Sequence, residues 1–204
     1  MKILTYRLGS VAANCYLAYD EQAKQACLID PAEYDPRIDE AISKHGLELK
    51  FIILTHGHFD HILGAHEFKD KTGAQIAAHE LELEYLEEPE KNYGGGATVC
   101  ADISLKDGGV LEFGAISLRV VHTPGHTKGS ACFVCEEQRV VFTGDTLFKS
   151  GIGRYDLYGG SYSTLLESLG KLKALADSGD YKVYPGHGGP TMLGDEIAEN
   201  IYFG

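Results

Sequence analysis

Thr55-His56-Gly57-His58-Phe59-Asp60-His61 sets three imidazoles and one carboxylate within six residues, directly after the apolar run Phe51-Ile52-Ile53-Leu54. Imidazole nitrogen and carboxylate oxygen are the common protein ligands of catalytic zinc and of iron. The spacing selects the local structure. Residues two apart at the end of a strand point the same way, so His56 and His58 can grip one ion. Asp60 and His61 fall beyond the turn and can grip a second. A helix would send His56 and His58 to different faces, so a strand running into a loop is required. The plain alternative is a His-rich surface loop, and the rest of the chain argues against it.

Three more segments offer ligand types in the same setting: His122-Thr123-Pro124-Gly125-His126, Thr143-Gly144-Asp145-Thr146 and Tyr184-Pro185-Gly186-His187-Gly188. Each follows a strand-like run and sets a His or Asp on a loop shaped by Gly or Pro. Strand-end loops are where a rigid scaffold displays functional groups.

Elements must hold these loops in place. Strand patterns cover Lys2 to Leu8, Asn14 to Tyr19 and Gln25 to Ile29, with 20–24 as a hairpin turn. Asp35 and Pro36 open a helix as N-cap and first position, and Gly46 closes it. His45 then has a structural role in the last turn. Phe51 to Thr55 is a buried strand feeding the His motif. A helix is expected from about His61 to Lys71, a strand over Gln75 to Ala78, and an acidic helix from about His79 to Glu88. His66 and His79 lie outside the ligand spacing and take helix and strand-end roles. Residues 89–98, with Gly94-Gly95-Gly96, read as a mobile loop able to cover a site. Further strands are expected at 103–105, 116–121, 131–135, 139–142 and 181–184. A helix at 163–176 carries a leucine stripe for core packing, and a short helix runs through Glu196. Strands in two sets with helices between them imply an α/β sandwich, sheets inside and helices outside.

The 204 residues suit a single domain over 1–204. No apolar run reaches membrane-spanning length, so no membrane association is expected. The N-terminus reads as a first strand and not as a signal peptide. Five cysteines without a framework suit a reducing cytoplasm. Cys132 and Cys135 lie three apart in a strand, face opposite ways, and read as buried core residues rather than a zinc or redox pair. A formal net charge of −12 opposes a polyanion, so nucleic acid is excluded as partner or substrate. Oligomeric state is not specified.

The set His56-x-His58-x-Asp60-His61, His126, Asp145 and His187 resembles the metallo-β-lactamase superfamily over nearly the whole chain. Thr-Pro-Gly-His-Thr at 123–127, Gly-Asp-Thr-Leu-Phe at 144–148, Gly-Arg-x-Asp at 153–156 and Tyr-Pro-Gly-His-Gly at 184–188 are most similar to the short bacterial glyoxalase II group, the hydroxyacylglutathione hydrolases. The resemblance implies a four-layer αβ/βα sandwich of two mixed sheets flanked by helices, with metals at one edge. By position, His56, His58 and His126 hold metal one, Asp60, His61 and His187 hold metal two, and Asp145 bridges. Two divalent ions are implied, zinc first, with iron or manganese as alternatives. The implied activity is hydrolysis of a small thioester such as S-lactoylglutathione by a metal-bridging hydroxide, with Asp60 and Asp145 as catalytic carboxylates. A thiolate leaves readily, thiol pKa being about 8.5, so no strong general acid is needed.

Long members of the group carry a C-terminal helical glutathione-binding domain. This sequence ends seventeen residues after His187, so that domain is expected to be absent. Arg154 matches the family's basic substrate-side position, and Arg154 and Tyr155 are the expected substrate residues. An Arg154–Asp156 ion pair is the structural alternative. Tyr155, Tyr158 and Tyr162 either line a pocket or fill the loop. Asp30, in Ile29-Asp30-Pro31, is either a turn former or an orienter of a ligand. Two other activities share this pattern. One is a mononuclear iron persulfide dioxygenase, with similar His/Asp positions and a similar Gly-Arg-x-Asp segment. The other is a different hydrolase of the same fold, such as a lactonase. Gly159-Gly160 is more like the short thioester hydrolases.

Overall fold

A computed structural model describes residues 1–94 and 96–204. Among the described residues, twelve strands form two six-stranded sheets. The first holds β1 (Lys2–Leu8), β2 (Ala13–Tyr19), β3 (Gln25–Ile29), β4 (Glu48–Leu54), β5 (Gln75–His79) and β6 (Ile103–Leu105), side by side in chain order. The second holds β7 (Val110–Phe113), β8 (Ile116–His122), β9 (Ala131–Cys135), β10 (Val140–Gly144), β11 (Lys182–Pro185) and β12 (Thr191–Met192), again in chain order. β3, β4, β5 and β6 run parallel, as do β10 and β11, and the other neighbours are antiparallel. Both sheets are therefore mixed.

The layering follows from alternation along the strands. Leu17, Leu28 and Ile52 face outward and pack with Ile38 and Phe68. Ile38 lies on α1 (Pro36–His45) and Phe68 on α3 (Ala65–Thr72). Tyr16, Ile29 and Ile53, one residue out of phase, face Leu118, Phe133 and Phe142 of the second sheet. Val134 and Val141 point the other way and meet Leu169 and Leu172 of α6 (Tyr162–Leu175) and Leu193 of α7 (Leu193–Glu199). This is the expected four-layer sandwich. Cys132 and Cys135 are buried on opposite faces of β9, in two different cores. Among the described residues, no helix is long and apolar enough to cross a membrane.

Asp35 caps α1 by accepting the Arg37 N–H at 2.9 Å, and Gly46 ends it at φ 62°. His45 packs its ring on Tyr19, 5.3 Å between centroids. Other expectations need correction. The helix expected from His61 to Lys71 is two helices, α2 (Phe59–Ile62) and α3. The break falls at Gly64, where a Cβ would sit 2.5 Å from the Glu33 carbonyl carbon, so a close backbone approach interrupts the helix. The acidic helix expected at 79–88 is a 3-10 turn (Glu80–Glu82) followed by α4 (Leu83–Glu87). The segment expected as a loop at 89–98 opens with a helical turn, α5 (Pro89–Asn92), and Gly95 lies outside the described residues. β7 and β12 were not expected. They are four and two residues long, at the outer ends of the second sheet.

Candidate metal centre

All the ligand-type loops leave the C-terminal ends of strands at one edge of the sandwich. β4 feeds His56 and His58, β8 leads to His126, β10 ends beside Asp145, and β11 ends before His187. Cross-sheet bonds bring them together. The Ala131 N–H donates to the Thr55 carbonyl at 2.9 Å, joining β9 to the end of β4. Asn14 of β2 donates its side-chain amide to the carbonyls of Pro185 and Gly188, both at 2.9 Å, and clamps the His187 loop. Gly186 is required there, since a Cβ would lie 2.2 Å from Asp145 Oδ1.

The seven side chains named from the sequence converge. His58 Nδ1 stands 2.9 Å from His126 Nε2, which stands 3.2 Å from His56 Nε2. His61 Nε2 stands 3.3 Å from His187 Nε2, and Asp60 Oδ2 lies 3.2 Å from His187 Nε2 and 3.6 Å from His61 Nε2. Asp145 sits between the two sets. Its Oδ1 is 3.5 Å from His61 Nε2, and its Oδ2 is 3.6 Å from the Nε2 atoms of both His126 and His187. Within each set of three, the ligand atoms lie within 4.8 Å of one another.

Outer contacts fix which nitrogen faces the centre. His126 Nδ1 donates to the Arg154 carbonyl at 2.6 Å. His61 Nδ1 lies 3.0 Å from Asp30 Oδ2. The Thr55 hydroxyl donates to Asp30 Oδ2 at 2.6 Å, so its oxygen accepts from His56 Nδ1 at 3.1 Å. The Nε2 atoms of these three rings thus face inward. Asp30, His56 and His61 are also close together, but Asp30 addresses the outer nitrogens, as an orienting carboxylate does.

Burial and the charges of His126 and His61 push His58 down to about 3, and burial with its neighbouring imidazoles holds His56 well below the ordinary histidine range. Burial also lowers His126. The inward Nε2 lone pairs of neutral His56 and His126 stand 3.2 Å apart and repel unless a cation lies between them. Burial pulls on His61 too, but Asp145, Asp30 and Asp60 outweigh it and raise it to about 9. His187 is likewise raised, its bond to Asp60 overcoming burial. Burial acts on Asp60 in the opposite direction, yet the bond from His187 and the charge of His61 keep its carboxyl well below the usual range. Asp145 Oδ1 is buried with no hydrogen-bond partner. Inward lone pairs, an orphaned carboxylate oxygen and a mixed N/O donor set fit divalent cations.

A cavity of about 390 Å³ opens onto the centre. Val11, Phe59, Tyr93 and Leu157 form its apolar wall, and Arg154 also lines it. Arg154 makes both hydrogen bonds of a bidentate pair with Asp156, at 2.8 and 2.9 Å. Tyr155 stands outside this wall, packed on Tyr162 at 4.8 Å and 41% exposed. Tyr158 donates to Glu84 and fills the loop. His79 ends β5 and stacks on His122 at 4.2 Å, outside both ligand sets. His66 lies on α3.

Tyr93 and Glu82 are not evident from sequence. Tyr93 sits at φ 62°, accepts the Tyr158 N–H at 3.0 Å and presents its ring to His58 at 5.7 Å. Glu82 is wholly buried on the 3-10 turn, where burial pushes its carboxyl up to about 7 against the pull of three donors. The tyrosine beside the glycine run was a usable signal, but an isolated Glu within an acidic stretch was not.

The family profile described as Metallo-beta-lactamase superfamily matches residues 8–187. Hydroxyacylglutathione hydrolase GloC of Haemophilus influenzae is 36% identical over 197 residues, covering 93% of this chain and 92% of that protein. The crystal structure of BLEG-1 B3 metallo-beta-lactamase superposes with a TM-score of 0.91 at 30% identity, covering 99% of both chains. The structure of TTHA1623 in a di-iron-bound form superposes with a TM-score of 0.85 at 31% identity, covering 98% of this chain and 99% of that one. Its fold and the long match to that profile place the chain in the metallo-beta-lactamase superfamily, among metallo-hydrolases.

Proposed function

We propose that the protein is a binuclear metal-dependent hydrolase of a small thioester. The observation supporting it most strongly is the convergence of seven side chains as two inward-facing sets sharing Asp145. His56, His58 and His126 would hold one ion, Asp60, His61 and His187 the other, and Asp145 would bridge. Zinc is the first candidate, and iron or manganese accept the same donors. When bound, the ions would supply Lewis-acid polarisation of the substrate carbonyl and a water acidified toward pH 7.

The chain's own residues do the rest. Asp30 holds His61 directly and His56 through Thr55, so the inward nitrogens stay aimed. Asp60 keeps its negative charge beside His187. The apolar wall of Val11, Phe59, Tyr93 and Leu157 receives the substrate body and excludes water from the reacting carbonyl. Arg154 offers its guanidinium to a substrate carboxylate at the cavity mouth, in competition with Asp156. The likeness to a hydroxyacylglutathione hydrolase favours a glutathione-derived thioester. Five free cysteines, four of them buried, agree with a reducing cytoplasmic setting.

The test is thiol release from a thioester panel, headed by S-lactoylglutathione, by protein loaded with zinc, iron or manganese. Turnover well above that of free metal is expected. Absence of turnover, or oxygen uptake on a glutathione persulfide by protein with one iron per chain, would replace this reading.

A further inference from the structure

Glu82 is fully buried, lines no part of the cavity and belongs to neither ligand set. Its Oε2 accepts the Gly57 N–H at 2.6 Å. Its Oε1 accepts the Gly129 N–H at 2.8 Å and the Thr127 hydroxyl. Gly57 stands between His56 and His58, and Thr127 directly follows His126. One carboxylate therefore spans the two loops that carry the His56–His58–His126 set.

The fit leaves no slack. A Cβ on Gly57 would lie 3.0 Å from Glu82 Oε2 and 2.5 Å from Tyr85 Cβ. A Cβ on Gly129 would lie 2.6 Å from the Glu82 nitrogen. Both loops close onto the Glu82 turn, and glycine permits the contact on each side. Without the carboxylate, two buried N–H groups lose their acceptor and the loops lose their common anchor. The Asp60–His61–His187 set has separate supports, Asp30 on His61 and Asn14 on the His187 loop.

We propose that Glu82 is a positioning residue that sets the spacing of His56, His58 and His126, and so the affinity of that set for its ion, without governing the other set. This rests on the reading that the two sets bind metal. Outer-sphere partners of metal ligands typically change affinity by about 10- to 100-fold when removed.

The test uses full-length protein in two backgrounds. His187→Ala leaves the first set intact, and His58→Ala leaves the second. Zinc affinity is measured by competition with a chromophoric chelator at pH 8, with and without Glu82→Gln. The expected result is a loss of about 10- to 100-fold in the His187→Ala background and a change within about twofold in the His58→Ala background. The cobalt absorption bands of the first set alone should shift. Thr127→Val removes the hydroxyl's bonds to Glu82 and Ser130 and keeps the carboxylate, so it decides the matter if Glu82→Gln fails to fold. It should give a smaller loss, again only in the His187→Ala background. Equal losses in both backgrounds, or none in either, overturn the proposal. A parent protein that binds no zinc overturns the metal reading itself, a distinct outcome.

Discussion

Asp30 holds His61 from behind: its Oδ2 lies 3.0 Å from His61 Nδ1, on the side away from the other ligands. The same oxygen accepts the Thr55 hydroxyl at 2.6 Å, which reaches His56. One buried carboxylate thus aims an imidazole from each set.

Asp30→Asn tests that role cleanly. Asp30 sits at φ 51°, a conformation Asn tolerates, so the backbone is spared. The amide keeps the volume and loses the charge. Zinc affinity should fall by about 10- to 100-fold, with the circular dichroism spectrum unchanged. Chelator competition measures it, and unaltered affinity would remove Asp30 from the account.

The two sets should differ in their response to pH. His56 and His58 are held neutral at pH 7, so an ion entering their set displaces no proton from them. His61 is raised to about 9, so it holds at neutral pH a proton that an ion must displace, and His187 is shifted in the same direction by its bond to Asp60. Affinity of the Asp60–His61–His187 set should therefore climb about tenfold per pH unit for each proton released, from pH 6 until it levels above about pH 9. The His56–His58–His126 set should be nearly flat between pH 6 and 8. Calorimetry in buffers of different ionisation enthalpy, on His58→Ala and His187→Ala proteins, counts the protons directly. Equal release from both sets would contradict the assignment of charge.

Much of this centre was legible in the sequence. The seven ligand types stand just past short β-rich runs, and period-two geometry sets the facing of His56 and His58. Asp30 reads equally as turn former or orienter in the sequence, because its partners lie 25 and 31 residues away and Asp-Pro fits either role. Glu82 was not legible, since its partners are 25 to 47 residues distant and nothing local distinguishes it from other acids. The break between α2 and α3 also escaped the sequence, because a contact with Glu33 interrupts a pattern that is locally helical.

Arg154 and Asp156 face each other at the cavity mouth, both well exposed. Arg154→Ala should raise KM for a thioester carrying a carboxylate by roughly two- to fivefold, with kcat unchanged, as expected for an exposed ion pair. A neutral thioester should show no change. Steady-state kinetics on the two substrates checks this, and a matching loss on both would make Arg154 purely structural.

The most direct test of the central claim is anomalous diffraction at the zinc edge from crystals grown with zinc. Two peaks per chain are expected. One should lie about 2.1 Å from the inward nitrogens of His56, His58 and His126, the other at a similar distance from Asp60, His61 and His187, with Asp145 in reach of both. A single peak, or peaks remote from these side chains, would contradict the binuclear centre.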